Sequence, residues 1–108
     1  MKTFELTGAA LDWAVAKCEG KVFAEEGEKF KLAYSPSTVW AQGGPIIERE
    51  RIDLIPLDND ESDVDTWAAC ATDNYIVMYG TTPLIAAMRR YVASKLGNTV
   101  EVPAELLK

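Results

Sequence analysis

From Thr66 to Gly97 the chain reads as a β-hairpin running straight into a capped helix, and this stretch most constrains the fold. Residues Thr66–Thr72 and Asn74–Tyr79 have the short alternating pattern of two strands, with Asp73-Asn74 at the hairpin turn. Trp67, Ala69 and Ala71 share one face of the first strand, and Ala68 and Cys70 the other. In the second, Tyr75, Val77 and Tyr79 oppose Ile76 and Met78. Thr82 is a favoured helix cap and Pro83 suits the first helical position. Leu84, Met88, Tyr91 and Lys95 then line one face, with Ile85, Val92 and Leu96 widening the apolar stripe, and Gly97 is the stop.

A second helix is predicted from Gly8 to about Glu19. Leu11, Ala14, Val15 and Cys18 recur at helical spacing, Thr7 serves as the cap, and Leu6 packs on Leu11 as a hydrophobic staple. Lys2–Glu5 reads as a short edge strand and Thr99–Val102 as a final strand, followed by a short turn over Pro103–Leu107. Residues 21–34 fit either a hairpin with a charged loop or an ordered loop with a partial strand. Ser35–Pro45, with two prolines and two adjacent glycines, reads as a loop. Ile46, Ile47, Ile52, Leu54 and Ile55 beyond it are candidates for a strand or for packing under a loop. Asp58–Asp65 is a charge run expected to form an exposed loop. Two main helices and four to six short strands predict an α+β fold, with the helices packed on a small, mostly antiparallel sheet. At 108 residues the expectation is a single domain spanning 1–108.

Composition narrows the function classes. Hydrophobic residues make up 48% of the chain, enough for one modest core. No apolar run is long enough to cross a bilayer, and Met1–Glu5 lacks the apolar centre of a signal peptide, so a cytoplasmic location is expected. The formal charge of −6 lacks the positive field that direct nucleic-acid binding needs. Arg89-Arg90 with Lys95 forms a small basic cluster, read as a solvated helix face. In that compartment Cys18 and Cys70 are expected as free thiols and not as a disulfide. The absence of histidine removes the commonest general base and metal ligand. Asp58, Asp60 and Ser62 alternate as in a calcium loop, but Asp63 and Ala69 stand where the glycine and the bidentate glutamate belong. Gly43-Gly44-Pro45 lacks the lysine of a phosphate-binding loop. No metal and no cofactor are expected.

Three strings occur together in order: Leu11-Asp12-Trp13-Ala14-Val15-Ala16, then Ser35-Pro36-Ser37-Thr38-Val39-Trp40-Ala41-Gln42-Gly43-Gly44-Pro45-Ile46-Ile47-Glu48, then Gly80-Thr81-Thr82-Pro83-Leu84-Ile85-Ala86-Ala87-Met88-Arg89. With the tail Val92–Gly97, they make the chain resemble the NinX-like family of small phage and prophage proteins, a domain of unknown function. The resemblance implies a phage or prophage origin and a bacterial cytoplasm, and supplies no activity or catalytic residue. Val39 departs from it, since a polar residue is expected there, and Asp58–Asp65 matches nothing in it.

The best functional candidates are the Tyr34–Pro45 segment and the Tyr79–Pro83 turn, both rich in aromatic, hydroxyl and glycine residues. Thr81 and Thr82 stand at a helix start, where backbone N–H groups favour an anion or polar group. Trp13 and Trp40, with Trp67, offer stacking walls. The candidate ligand-binding set is therefore Trp13, Tyr34, Ser37, Thr38, Trp40, Gly43, Gly44, Tyr79, Thr81, Thr82 and Arg89. The competing reading of the same residues is a cap, a turn and ordinary core aromatics. The leading expectation is a phage accessory protein binding a small polar or nucleotide-like ligand. A second is an acidic module docking through Asp58–Asp65 on a basic host or phage protein. A third is a minor hydrolase or transferase using Asp12, Glu48 or Glu50. A homodimer is left open.

Overall fold

The computed structural model describes residues 1–20, 34–57, 66–72 and 74–107. Among these residues three α-helices and a three-stranded antiparallel sheet make an α+β fold: α1 (Gly8–Cys18), α2 (Trp40–Glu50), β1 (Asp53–Pro56), β2 (Trp67–Ala71), β3 (Asn74–Gly80) and α3 (Pro83–Leu96). The strand order is β1-β2-β3. Leu54, Ala69 and Met78 stand in register across it, as do Ile55, Ala68 and Tyr79 on the opposite face. The first row faces the helices. The second leaves Ile55 and Tyr79 exposed, as alternation along a one-sided sheet requires.

The hairpin and the last helix follow the sequence pattern. Ala71 pairs with Asn74, so the chain reverses within two residues, although Asp73 lies outside the described residues. The Thr82 hydroxyl accepts from the Ile85 N–H at 3.1 Å, and Gly97 ends α3 at a φ of 86°. The end of β3 lies hard against α3: a Cβ on Gly80 would stand 2.6 Å from the Ala86 nitrogen. At the start of α1, Leu6 and Leu11 are both fully buried in the same core cluster, as the staple predicts. Thr7 has extended backbone there but makes no side-chain cap bond.

The largest correction is α2. The segment over Ser35–Pro45 that reads as a loop contains a helix from Trp40 onward, and Gly43, Gly44 and Pro45 all lie inside it. Local propensity opposes this, since glycine and proline are the poorest helix formers. Tertiary packing overrides it. Gly43, Ile46, Ile47 and Glu50 recur at helical spacing on the inward side, and Gly43 and Ile46 are buried. The helix ends in a Schellman motif: Arg51 adopts the left-handed conformation (φ 55°), its N–H donates to the Glu48 carbonyl, and the Ile52 N–H donates to that of Ile47. At its start Val39 occupies the cap position and provides no side-chain bond. The family resemblance leads one to expect a polar residue at this position, and a cap is what a polar side chain would be. Val39→Ser is expected to stabilise the fold by roughly 1 kcal/mol, read as a rise in thermal midpoint.

Three smaller readings are also corrected. Lys2–Glu5 is not an edge strand but a 3₁₀ turn over Thr3–Glu5, and Thr99–Val102 contributes only an isolated bridge, Lys2 to Thr99. Among the described residues the sheet has three strands. Arg89 and Arg90 are not a solvated face. Arg90 is 2% exposed and donates through Nε to the Ile76 carbonyl at 3.0 Å. Arg89 donates through Nε to the Leu6 carbonyl and through Nη1 to that of Tyr79, at 2.8 and 2.7 Å. Cys18 and Cys70 are free thiols, each partly buried. The proposed 21–34 hairpin (apart from Tyr34) and the Asp58–Asp65 loop lie outside the described residues.

Candidate functional site

Two helix starts meet in this fold. The turn before α2 is held by the Thr38 and Val39 N–H groups, which donate to the Ser35 carbonyl, and by the Ser35 N–H, which donates to Gln42 Oε1 at 2.6 Å. The start of α3 is held by the Thr82 cap. Gly43 lets them close on one another: a Cβ there would stand 2.6 Å from Leu84 Cδ2 and would also overlap the Pro36 carbonyl. Between them lies an open pocket of about 220 Å³. Ser37, Thr38 and Trp40 form one wall; Thr82, Pro83, Leu84 and Ile85 form the other.

The pocket combines a flat aromatic, three hydroxyls and an apolar floor, and none of these lining residues is charged. Trp40 is 54% exposed, so a large apolar surface faces solvent at the rim. Ser37 is its opposite. It is 2% exposed, its N–H donates to Asp12 Oδ1 at 2.8 Å, and its hydroxyl has no hydrogen-bond partner among the described residues. A buried polar atom left unpaired costs about 1–3 kcal/mol, so such atoms call for an explanation.

Asp12 is the hidden support of this wall. It is buried on the inner side of α1, and burial raises its carboxyl above the ordinary value of 3.8, while the nearby Ser37 hydroxyl and N–H pull the other way. The hydroxyl is close enough to favour the charged carboxylate but does not meet it in hydrogen-bond geometry.

The remaining sequence candidates go elsewhere. Gly43 packs behind the pocket, and Gly44 faces open space. Trp13 is partly buried on α1 with the Lys17 ammonium 5.2 Å above its ring. Tyr79 stands on the outer face of the sheet and Thr81 on the exposed turn, where its carbonyl accepts from Thr66 Oγ1 at 3.4 Å. Arg89 is a clamp between chain segments. Tyr34 is partly buried against the core. So Ser37, Thr38, Trp40 and Thr82 converge, and Trp13, Tyr34, Gly44, Tyr79, Thr81 and Arg89 do not line this pocket.

A second constellation was not foreseen from the sequence. Glu19, at the end of α1, receives the Arg49 guanidinium through both oxygens (Nη2–Oε2 2.6 Å) and a short hydrogen bond from the Tyr91 hydroxyl. Arg49 also donates to Tyr91 and lies over its ring, 5.6 Å from the centroid. This ties α1, α2 and α3 together. Its members are separated by 30 to 72 positions, so no local spacing announces it. Arg49 is half exposed, which limits the ion pair to about 0–1 kcal/mol. The phenols respond more strongly. Burial, then the Glu19 charge, pushes Tyr34 up to about 12, and burial with the Glu19 hydrogen bond pushes Tyr91 higher still. A phenol whose folded pKa is raised contributes stability that is full below the ordinary value of 10.0 and lost as pH rises through about 12. Phenolate absorbance is therefore expected to develop together with alkaline unfolding, and Tyr34→Phe to move that unfolding to higher pH.

Among the described residues no cluster of side chains suits a metal ion, and no helix is long and apolar enough to cross a membrane. A family model described as Bacteriophage P22, NinX matches residues 2–95. No curated protein matches the chain at a significant level.

Proposed function

The chain belongs to the bacteriophage P22 NinX family, and on that premise we propose that this phage accessory protein binds a small polar or nucleotide-like ligand in the pocket between the starts of α2 and α3, in the cytoplasm of the bacterial host. The observation that carries this reading is the convergence of Trp40 with Thr82 across one pocket whose wall holds the unpaired, buried Ser37 hydroxyl. Pockets that bind small molecules combine apolar walls with a few well-placed polar groups, and this one has that composition.

Thermal unfolding of the full chain against a panel of nucleotides, nucleosides, sugars and amino acids tests the proposal. A ligand at about a hundred times its Kd adds roughly 2.7 kcal/mol, which in a domain of this size raises the midpoint by about 10 °C or more. Trp40→Ala is expected to abolish that shift while barely changing the unliganded midpoint, since its side chain is largely in solvent. Silence across the panel would overturn the proposal.

A further inference from the structure

We infer that the occupant of this pocket is a neutral, planar, hydrogen-bond-donating ring of the nucleobase type, and that a phosphate group is not what the pocket recognises. This inference rests on the ligand-binding reading above and narrows it. Helix starts ordinarily favour anions, but here some of the N–H groups that would hold one are missing or used by the caps, which leaves those of Trp40, Ala41 and Leu84. Pro83 has none, the Ile85 N–H goes to Thr82 Oγ1, and the Ala86 N–H goes to the Thr82 carbonyl. At the start of α2, the Gln42 and Gly43 N–H groups both go to the Val39 carbonyl. Among the described residues no lysine or arginine lines the pocket to compensate.

Charge on the far side of the wall acts in the same direction. Asp12 stands directly behind Ser37, fastened to its N–H at 2.8 Å. A carboxylate there repels an incoming anion and favours a ligand that donates a proton. Among the described residues the Ser37 hydroxyl makes no hydrogen bond. A ring N–H or amino group supplies one, and rotation about the single serine χ1 between staggered wells brings the oxygen round to meet it. The half-exposed Trp40 indole offers the ring a stacking face, and Leu84 and Ile85 with Pro83 give it an apolar bed. A volume of about 220 Å³ holds one ring system and leaves a sugar and any phosphate outside in solvent.

The test is a titration of the full chain followed by Trp fluorescence and thermal shift, with the four ribonucleosides, their 5′-monophosphates and inorganic phosphate, each at low and high salt. The expected result is saturable binding of at least one nucleoside, with its monophosphate no tighter and an affinity that changes by less than about threefold with salt. Ser37→Ala is expected to weaken that nucleoside about tenfold, more than any change in the unliganded midpoint accounts for, since the hydroxyl makes no hydrogen bond among the described residues. A monophosphate or phosphate that binds where the nucleosides do not, with strong salt dependence, overturns the inference and leaves the ligand reading standing. A thermal shift with a non-nucleoside member of the wider panel alone does the same. Silence from every compound overturns both.

Discussion

Replacing Gly43 with alanine is expected to cost about 1–3 kcal/mol of stability and to reshape the pocket at the same time. The position is inside α2, where alanine is the better helix former by roughly 1 kcal/mol, so a purely local account predicts a gain. The packing predicts the reverse. The new methyl would overlap the Pro36 carbonyl and stand 2.6 Å from Leu84 Cδ2. Leu84 is a flexible side chain and can yield, but the Pro36 carbonyl is backbone and moves only with the turn that carries Ser37. Denaturant unfolding reads the stability change, and it should appear as a lower midpoint with unchanged slope. Gly44→Ala is the internal control. A Cβ there meets nothing within 4 Å, so the helix-propensity gain should appear alone. If the two variants behave alike, the close approach of α2 to α3 is not what the glycine is for.

The second large effect belongs to Asp12. Asp12→Ala leaves the buried Ser37 N–H without its acceptor and is expected to destabilise by about 1–3 kcal/mol. Asp12→Asn keeps an acceptor oxygen while removing the charge, and is expected to hold wild-type stability at neutral pH or exceed it. The reason lies in the direction of the Asp12 pKa. Burial raises it above 3.8, so the charged carboxylate is costlier in the fold than in the unfolded chain. The contribution of Asp12 is full below 3.8 and lost as pH rises through the higher folded value. Stability measured from acid to neutral pH should fall across that interval in the wild type relative to Asp12→Asn, whose corresponding term is flat. An Asn variant as damaged as the Ala variant would mean that the carboxylate charge itself is needed.

Much of the fold was legible where pattern and punctuation agree. Thr82, Pro83 and Gly97 mark the ends of α3, and the alternation in Thr66–Thr72 and Asn74–Tyr79 predicts the hairpin and which residues share a face. The failures share one physical cause, which is that tertiary contacts decided what local chemistry opposed or left open. Gly43-Gly44-Pro45 argues against a helix until Gly43 is seen to be a contact surface with Leu84. Arg90 argues for solvent until its Nε is found on a strand carbonyl. The site was half legible for the same reason. Ser37, Thr38, Trp40 and Thr82 stand out by residue type, but their meeting depends on how α2 crosses α3. Asp12 supports the pocket from a helix 25 residues away, and the Glu19–Arg49–Tyr91 tie spans still longer separations.

Arg89 joins three parts of the chain that are remote in sequence: the entry to α1 through the Leu6 carbonyl, the end of β3 through the Tyr79 carbonyl, and α3, which carries it. An element fastened in this way does not fray alone. The first helix, the hairpin and the last helix should therefore open as one cooperative unit, with the core amides of Leu11, Val15 and Val92 sharing a single free energy of hydrogen exchange. Arg89→Lys, which supplies one compact ammonium where a two-pronged guanidinium stood, should split that unit. Amides at the start of α1 would then exchange before those of α3, while the helices still form.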